Sequence, residues 1–394
     1  MTIGQAAAKG RGANAFDVLR LVAAVLVLWS HSFILSGNDE PWPHGLHATW
    51  GTVGVLMFFS ISGFLVTRSW DHDPRLLSFA VKRGVRLLPA LVVSLLVTAL
   101  VIGPALTTLN LQDYLEQGDV KTFILNNATF QSNYRLPGLF AHNPVRDAVN
   151  GSLWTLPLEL KAYVWVAVLG ALGLVARRRA IFVAVALLCA VIGVDEVRQT
   201  LPHGERLVGM LADIQAGSLV RMKAAAGQFD AVARHFEAFA VGAALYVLRD
   251  RIPLRRRAAA ALVVAWAAVW ILAGGRWAVE ALPWVMPYLV LVAAYRAPRA
   301  VRLPRRMGDY SYGIYVYAFV VQQACAQLLD PGSGWLMFAV ALPVTTVLAV
   351  LSWHLVEAPA LLIKQRLAGR PVPDAPAPLV ERAELEPVPA SAAG

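Results

Sequence analysis

Arg20 and His31 stand eleven residues apart in a stretch that is otherwise almost wholly apolar. At 100° per residue, eleven steps close three turns to within about 20°. On a helix both side chains therefore leave from one face, about 16 Å apart along the axis. A permanent cation and an imidazole that titrates near neutrality could share acid–base work from such a face. The plainer reading is an interfacial arginine that snorkels and a helix-end histidine held by a loop.

Further polar groups recur at helical spacing. Lys82, Arg83 and Arg86 crowd one helical sector. Like charges at these spacings repel unless an anion lies between them. A phosphorylated ligand would supply one, and arginine offers it bidentate geometry; anchoring against anionic lipid is the other reading. Ser152, Thr155, Glu159 and Tyr163 follow at steps of 3, 4 and 4, a polar stripe in which Glu159 needs a cationic partner or a wet cavity. Arg20 and His31 are the natural candidates for that partner. Gly54, Ser62 and Gly63 would let a helix or an extended ligand come close. Tyr310, Tyr312, Tyr315 and Tyr317 are more tyrosines than an aromatic belt requires and would suit a carbohydrate or nucleotide surface. Glu357 reads as an interfacial residue. The two cysteines, Cys189 and Cys325, lie in apolar runs, so neither a disulfide framework nor a cysteine metal site is expected.

The elements that must position these groups follow from composition. Of 394 residues 58% are hydrophobic and 15% charged, with mean hydropathy +0.57, against roughly 45–50% and about 25% in soluble domains. The fold class expected is an all-α polytopic membrane protein, which excludes soluble enzymes and nucleic-acid binders. A span needs about 20 apolar residues. That ruler finds ten, near 16–36, 50–68, 85–104, 152–175, 180–197, 231–248, 258–274, 279–295, 310–329 and 335–357. The linkers 68–86, 177–179, 249–257 and 296–306 are basic and alternate with base-poor ones. The net charge of +10 thus reports topology, with both termini in the cytoplasm. Residues 1–15 form a cytoplasmic segment, 16–366 the transmembrane domain, and 367–394 an acidic Pro/Ala-rich tail expected to be disordered. The first span has no small-residue cleavage pattern and reads as uncleaved. The stretch 198–229 reads as an external loop with an interfacial helix, or as a re-entrant element.

Taken together, these stretches resemble the acyltransferase 3 family of multi-spanning membrane acyltransferases, which includes bacterial O-antigen and other glycan O-acetylases. The resemblance runs from about Phe16 to Arg366. It rests on Phe16-Asp17-Val18-Leu19-Arg20 with His31, Phe58 to Leu65, Arg83-x-x-Arg86 followed by Pro89, Ser152-Leu153-Trp154 with Glu159 and Tyr163, Ser311-Tyr312-Gly313-Ile314-Tyr315, and Glu357-x-Pro359. The resemblance implies ten transmembrane helices in the inner (cytoplasmic) membrane, acyl-CoA (chiefly acetyl-CoA) as cytoplasmic donor, and a hydroxyl acceptor, often a sugar at the outer face. His31 and Arg20, with Glu159, would be catalytic. Arg83 and Arg86, with Lys82, Ser62 and Gly63, would hold the donor, and Trp154, Tyr163, Tyr312 and Tyr315 would contact substrate. No metal, no permanently bound cofactor and no nucleic-acid partner is implied, and a homo-oligomer is compatible with the sequence. Two features depart from the family: Tyr317-Ala318-Phe319 stands where many members carry a histidine, and the esterase-like domain of some members is absent. The rival readings are a glycan or metabolite transporter or flippase, and an acyltransferase with a small-molecule acceptor. The first is disfavoured by the lack of an internal repeat.

Overall fold

The computed structural model describes residues 1–8, 14–41, 46, 48–175, 180, 182–184, 218–301 and 308–367. Among them every regular element is helical, and a bridge between Thr2 and Pro253 is the nearest approach to a strand pair. The order is α1 (Ile3–Ala7), α2 (Phe16–Leu35), α3 (Trp50–His72), α4 (Leu76–Val97), α5 (Gly103–Leu106), α6 (Leu111–Glu116), α7 (Asp119–Ala128), α8 (Thr155–Ala171), α9 (Ser218–Val247), α10 (Arg256–Ala273), α11 (Gly275–Arg296), α12 (Ser311–Leu329), α13 (Gly334–Ser352) and α14 (Ala358–Leu367). A π-helical turn, Thr98–Ile102, joins α4 to α5, and another, Trp353–Glu357, joins α13 to α14.

Among the described residues seven helical runs are long and apolar enough to cross a bilayer: Phe16–Leu35, Trp50–His72, Leu76–Leu106, Gly151–Ala171, Arg256–Ala273, Gly275–Arg296 and Gly334–Leu362. Two expected spans, 231–248 and 310–329, are helical in α9 and α12 but fall short of that apolar criterion. The reason is visible in α12, which is buried without a break from Ser311 to Gln323. Enclosed by neighbours, it can carry tyrosines and amides that lipid would not accept. Gln322 donates to the Leu28 carbonyl and to Ser32 Oγ at 2.7 Å, and Gln323 donates to the Val145 and Ala148 carbonyls at 2.7 Å. The expected span 180–197 and the stretch 198–217 lie mostly outside the described residues; 218–229 forms the first part of α9 rather than a loop. The tail from 368 onward is also outside them.

One boundary is corrected. The basic linker expected at 68–86 is only residues 73–75, because α3 runs to His72 and α4 begins at Leu76. A ruler that counts apolar residues cannot see a helix that continues past the bilayer surface with a charged face. Lys82, Arg83 and Arg86 therefore sit on a transmembrane helix.

Helix α3 is the hub, packed against α2, α8, α9 and α11. Its glycines explain how. A Cβ on Gly54 would lie 2.6 Å from the Ala23 carbonyl oxygen of α2, and one on Gly63 would lie 2.0 Å from that of Phe239 in α9. From the other side, a Cβ on Gly242 would meet the Ser60 carbonyl at 2.5 Å. Bare backbones meet here, as small residues permit in membrane bundles. Gly63 thus serves helix packing, not ligand access. Gly63→Ala is expected to destabilise the protein by about 1–3 kcal/mol or more, because the opposing atom is backbone and cannot swing away. Gly84→Ala, whose Cβ would find only Leu88 Cδ1 at 3.8 Å, should match or slightly exceed wild-type stability. Thermal unfolding of the two variants in detergent checks the pair.

Both ends of the bundle are closed by local structure. On the basic face, α1 docks through Ile3 N–H to the Ile252 carbonyl (3.1 Å) and Gly4 N–H to that of Arg249 (2.8 Å). Arg249 pairs with Asp71 at 3.2 Å, and Arg296 donates to the Leu254 carbonyl at 2.7 Å. On the opposite face, residues 105–150 fold into a cap with α6 and α7. Its Tyr114 hydroxyl reaches the Ala99 carbonyl in the π-turn at 2.8 Å, and its Asn143 donates to Gln323 Oε1 at 2.8 Å. There Glu40 accepts Ser30 Oγ at 2.6 Å and the first amide of α3, Trp50, at 2.7 Å. Burial pushes the Glu40 carboxyl up, against those two hydrogen bonds.

Candidate active site

Helices α2, α3, α4, α8 and α12 line an open cavity with about 770 Å³ of empty space, part of it open to solvent. Its polar wall is built from Arg20 of α2, Ser62 of α3 and Arg83 and Arg86 of α4, facing Thr155, Glu159 and Tyr163 of α8 and Ser311, Tyr312 and Tyr315 of α12. Its apolar side is Phe58, Phe59, Leu65 and Leu87 with neighbouring aliphatics. Eight of the twelve site residues expected from sequence meet here: Arg20, Glu159, Arg83, Arg86, Ser62, Tyr163, Tyr312 and Tyr315.

The positive end of the cavity is organised by a carboxylate. Asp309, just ahead of α12, accepts Arg20 Nη1 at 2.8 Å and Arg86 Nη2 at 2.5 Å. Its other oxygen accepts the Ser311 hydroxyl at 2.5 Å and amide at 3.3 Å. Burial opposes its charge, but Arg86, Arg20 and Ser311 outweigh that and hold the carboxyl below the ordinary aspartate range. Arg20 also reaches the exposed Asp17 at 3.2 Å. Arg83 differs. Among the described residues it has no ion pair; its Nε is buried without a partner, and its guanidinium lies 5.6 Å from the Tyr163 ring centre and 5.9 Å from that of Phe79.

Glu159 accepts a short hydrogen bond from Tyr163 and a long one from Ser62 Oγ, at 3.5 Å. The direct ion pair with Arg20 does not form, since that guanidinium is turned to Asp309. His31 is not its partner either, because the imidazole lies outside the cavity wall. The inner end is closed by Thr155 Oγ1 and the Tyr315 hydroxyl, 2.6 Å apart, with the Phe58 ring 5.6 Å from that of Tyr315. Tyr312 donates to the Leu87 carbonyl at 3.0 Å. Thr155→Val should leave the buried Tyr315 hydroxyl unpaired and cost about 1–3 kcal/mol. Ser62→Ala, which gives up only a marginal contact, should leave the unfolding temperature nearly unchanged; both are read by thermal unfolding.

His31 sits just beyond this closure, edge-on to Phe319 with ring centres 5.2 Å apart. Phe319 is one turn past Tyr315, and its ring would be 2.7 Å from a Cβ on Gly151, itself one turn before Thr155. His31 Nδ1 and Ser152 Oγ are buried with no hydrogen-bond partner among the described residues. So α2 carries Arg20 at the cavity and His31 one layer outside it, as the helical arithmetic implies.

Three expected residues lie elsewhere. Lys82 is turned from the cavity to Asp73 at 2.6 Å, where Arg75 and Ser78 also donate at 2.7 and 2.6 Å. Those donors hold the Asp73 carboxyl far below the usual range. Gly63 faces Phe239, as above. Trp154 packs edge-on against His235, 5.4 Å between ring centres. Two carboxylates escaped sequence reasoning: Asp309, and Glu357, which is 2% exposed rather than interfacial and close enough to Arg86 to interact with its charge. The signal available for Asp309 was an acid directly before a tyrosine-rich span, in a chain with more arginines in or beside the spans than Glu159 alone could pair. Among the described residues no group of three His, Cys, Asp or Glu could hold a metal.

The family described as an acyltransferase domain, acyltransferase 3, matches residues 13–354. An O-acetyl transferase of Shigella phage Sf6 is 30% identical over 358 residues, which cover 87% of this chain and 95% of the relative. Nodulation protein 10 of Rhizobium leguminosarum bv. viciae is 32% identical over 380 residues, 91% of this chain and 95% of the relative. No solved structure matches the chain. With the family spanning nearly all of the sequence and both relatives aligned almost end to end, the chain belongs to the acyltransferase 3 family and is a membrane-bound O-acyltransferase.

Proposed function

We propose that this enzyme moves an acetyl group from acetyl-CoA, bound from the cytoplasm, to a hydroxyl of a cell-envelope or exported glycan. The observation that carries the reading is the cavity itself: three arginines at one end, a closed inner end, and a histidine one layer beyond on the same helix as Arg20. Arginines at the basic-loop side suit the phosphates of coenzyme A, and the aromatic and aliphatic wall suits its pantetheine arm. The relative named an O-acetyl transferase supports acetyl as the transferred group.

In this mechanism the Thr155–Tyr315 hydrogen bond opens to let the thioester pass Tyr315 and reach His31. The acceptor oxygen attacks the thioester carbonyl carbon while the neutral imidazole takes its proton. The carbon–sulfur bond breaks, and the imidazolium returns the proton to the departing thiolate, giving free coenzyme A and the ester. Glu159 and Arg20 keep the polar wall charged and ordered around the donor. The setting is the inner membrane, with ten spans and both termini in the cytoplasm. The test is the envelope glycan of cells with and without the gene: alkali-labile acetate and the matching mass increase should be present only with it. Identical glycans in the two strains would refute the acceptor class.

A further inference from the structure

The three guanidiniums of the cavity wall are not equivalent. Asp309 receives Arg20 at 2.8 Å and Arg86 at 2.5 Å on one oxygen and Ser311 on the other. Its side chain is only 11% exposed, so its acceptor capacity is spent on the protein, and it ties α2, α4 and the start of α12 together. Arg83, one turn from Arg86 on the same helix, makes no ion pair among the described residues, and its buried Nε has no hydrogen-bond partner; the Glu159 carboxylate is near enough to act on its charge but does not bond to it. A half-buried guanidinium with an unpaired Nε keeps hydrogen-bonding capacity that a ligand can complete.

We propose that Asp309 is a positioning residue: it fixes Arg20 and Arg86 in the cavity wall, offsets one of their two charges, and leaves Arg83 as the guanidinium that receives the donor's phosphate. The assignment rests on the donor reading above. It carries an unusual sign. Without the carboxylate the cavity wall gains one net positive charge, with Glu159 the one acid left among its lining to offset the three arginines, so an anionic ligand is held more tightly. Arg20 and Arg86 meanwhile lose their fixed places, and turnover falls because the bound donor is less well oriented. A carboxylate that merely holds the fold together would, on removal, weaken binding and turnover alike.

The experiment uses the full-length protein purified in detergent, with coenzyme A and phosphate-free pantetheine as binding probes and acetyl transfer as the activity. For Asp309→Asn the expected result is coenzyme A bound about five- to twentyfold more tightly, pantetheine affinity unchanged, and kcat down by about tenfold or more. Asp309→Glu, which keeps the charge, should bind coenzyme A within about twofold of wild type and recover part of the lost kcat. Weaker coenzyme A binding in Asp309→Asn, or an unchanged kcat, would overturn the assignment. Should Asp309→Asn fail to fold, Asp309→Glu decides. Near-normal coenzyme A affinity with kcat two- to tenfold below wild type supports the assignment; an unchanged kcat, or affinity and kcat lost in parallel, overturns it. If the wild type itself binds no coenzyme A, the donor reading fails, and this inference with it.

Discussion

His31→Ala should lower kcat for acetyl transfer by about 10²–10⁴-fold, the usual worth of a positioned general base, while coenzyme A binds within about twofold of wild type. The two halves of the expectation have separate grounds. His31 lies outside the arginine-lined cavity, so the donor's phosphates do not depend on it. Its Nδ1 makes no hydrogen bond among the described residues, and it packs edge-on against the Phe319 ring, so removal should leave the structure nearly intact. A half-buried imidazole whose Nδ1 is buried and unpaired, at the end of the path proposed for the thioester, is placed to take a proton from the acceptor. Binding of coenzyme A and the rate of acetyl transfer, measured on the same preparation, separate chemistry from folding. Full activity in the variant would remove His31 from the mechanism.

Arg83→Gln should raise KM for acetyl-CoA by about 10–100-fold with a much smaller effect on kcat. A charge-assisted hydrogen bond contributes about 1.5–3 kcal/mol, and each 1.4 kcal/mol is a factor of ten. Arg83 is singled out because it makes no ion pair among the described residues, whereas Arg20 and Arg86 share Asp309. Lys82→Gln is the control on the same helix. Its ammonium is held by Asp73 at 2.6 Å, so KM should stay close to wild type while stability falls. Steady-state kinetics at fixed ionic strength distinguish them, and equal KM effects at Lys82 and Arg83 would mean that general surface charge, not one guanidinium, attracts the donor.

What could be read in advance divides along a physical line. Helical arithmetic reports which residues of one helix share a face, so Arg20 with His31, and Thr155 with Glu159 and Tyr163, were legible. It is silent on which neighbouring helix that face meets. Asp309 and Arg86 are 223 positions apart, and nothing local announces their bond. Lys82 and Arg86 share a sector by spacing, yet a long flexible side chain followed the nearest carboxylate, Asp73, and left the cavity. Gly63 was rightly read as a close approach, but whether ligand or backbone arrives there depends on where α9 packs. Glu357 sat in a short polar run at the end of a span, where the pattern of an interfacial residue and of a buried one is the same. The enclosed helix α12 shows the limit of hydropathy: once surrounded, it no longer needs to look like a lipid-facing span.

The central claim is that acetyl-CoA entering at the basic face is used, through His31, to acylate a hydroxyl. It is tested most directly with the purified protein in sealed proteoliposomes, supplied with radiolabelled acetyl-CoA on the side of Arg83 and an envelope glycan fraction on the other. The account predicts alkali-labile label on the glycan with wild type, and its loss with His31→Ala although that variant still binds coenzyme A. Absence of label with the wild type, or equal label with His31→Ala, would contradict it.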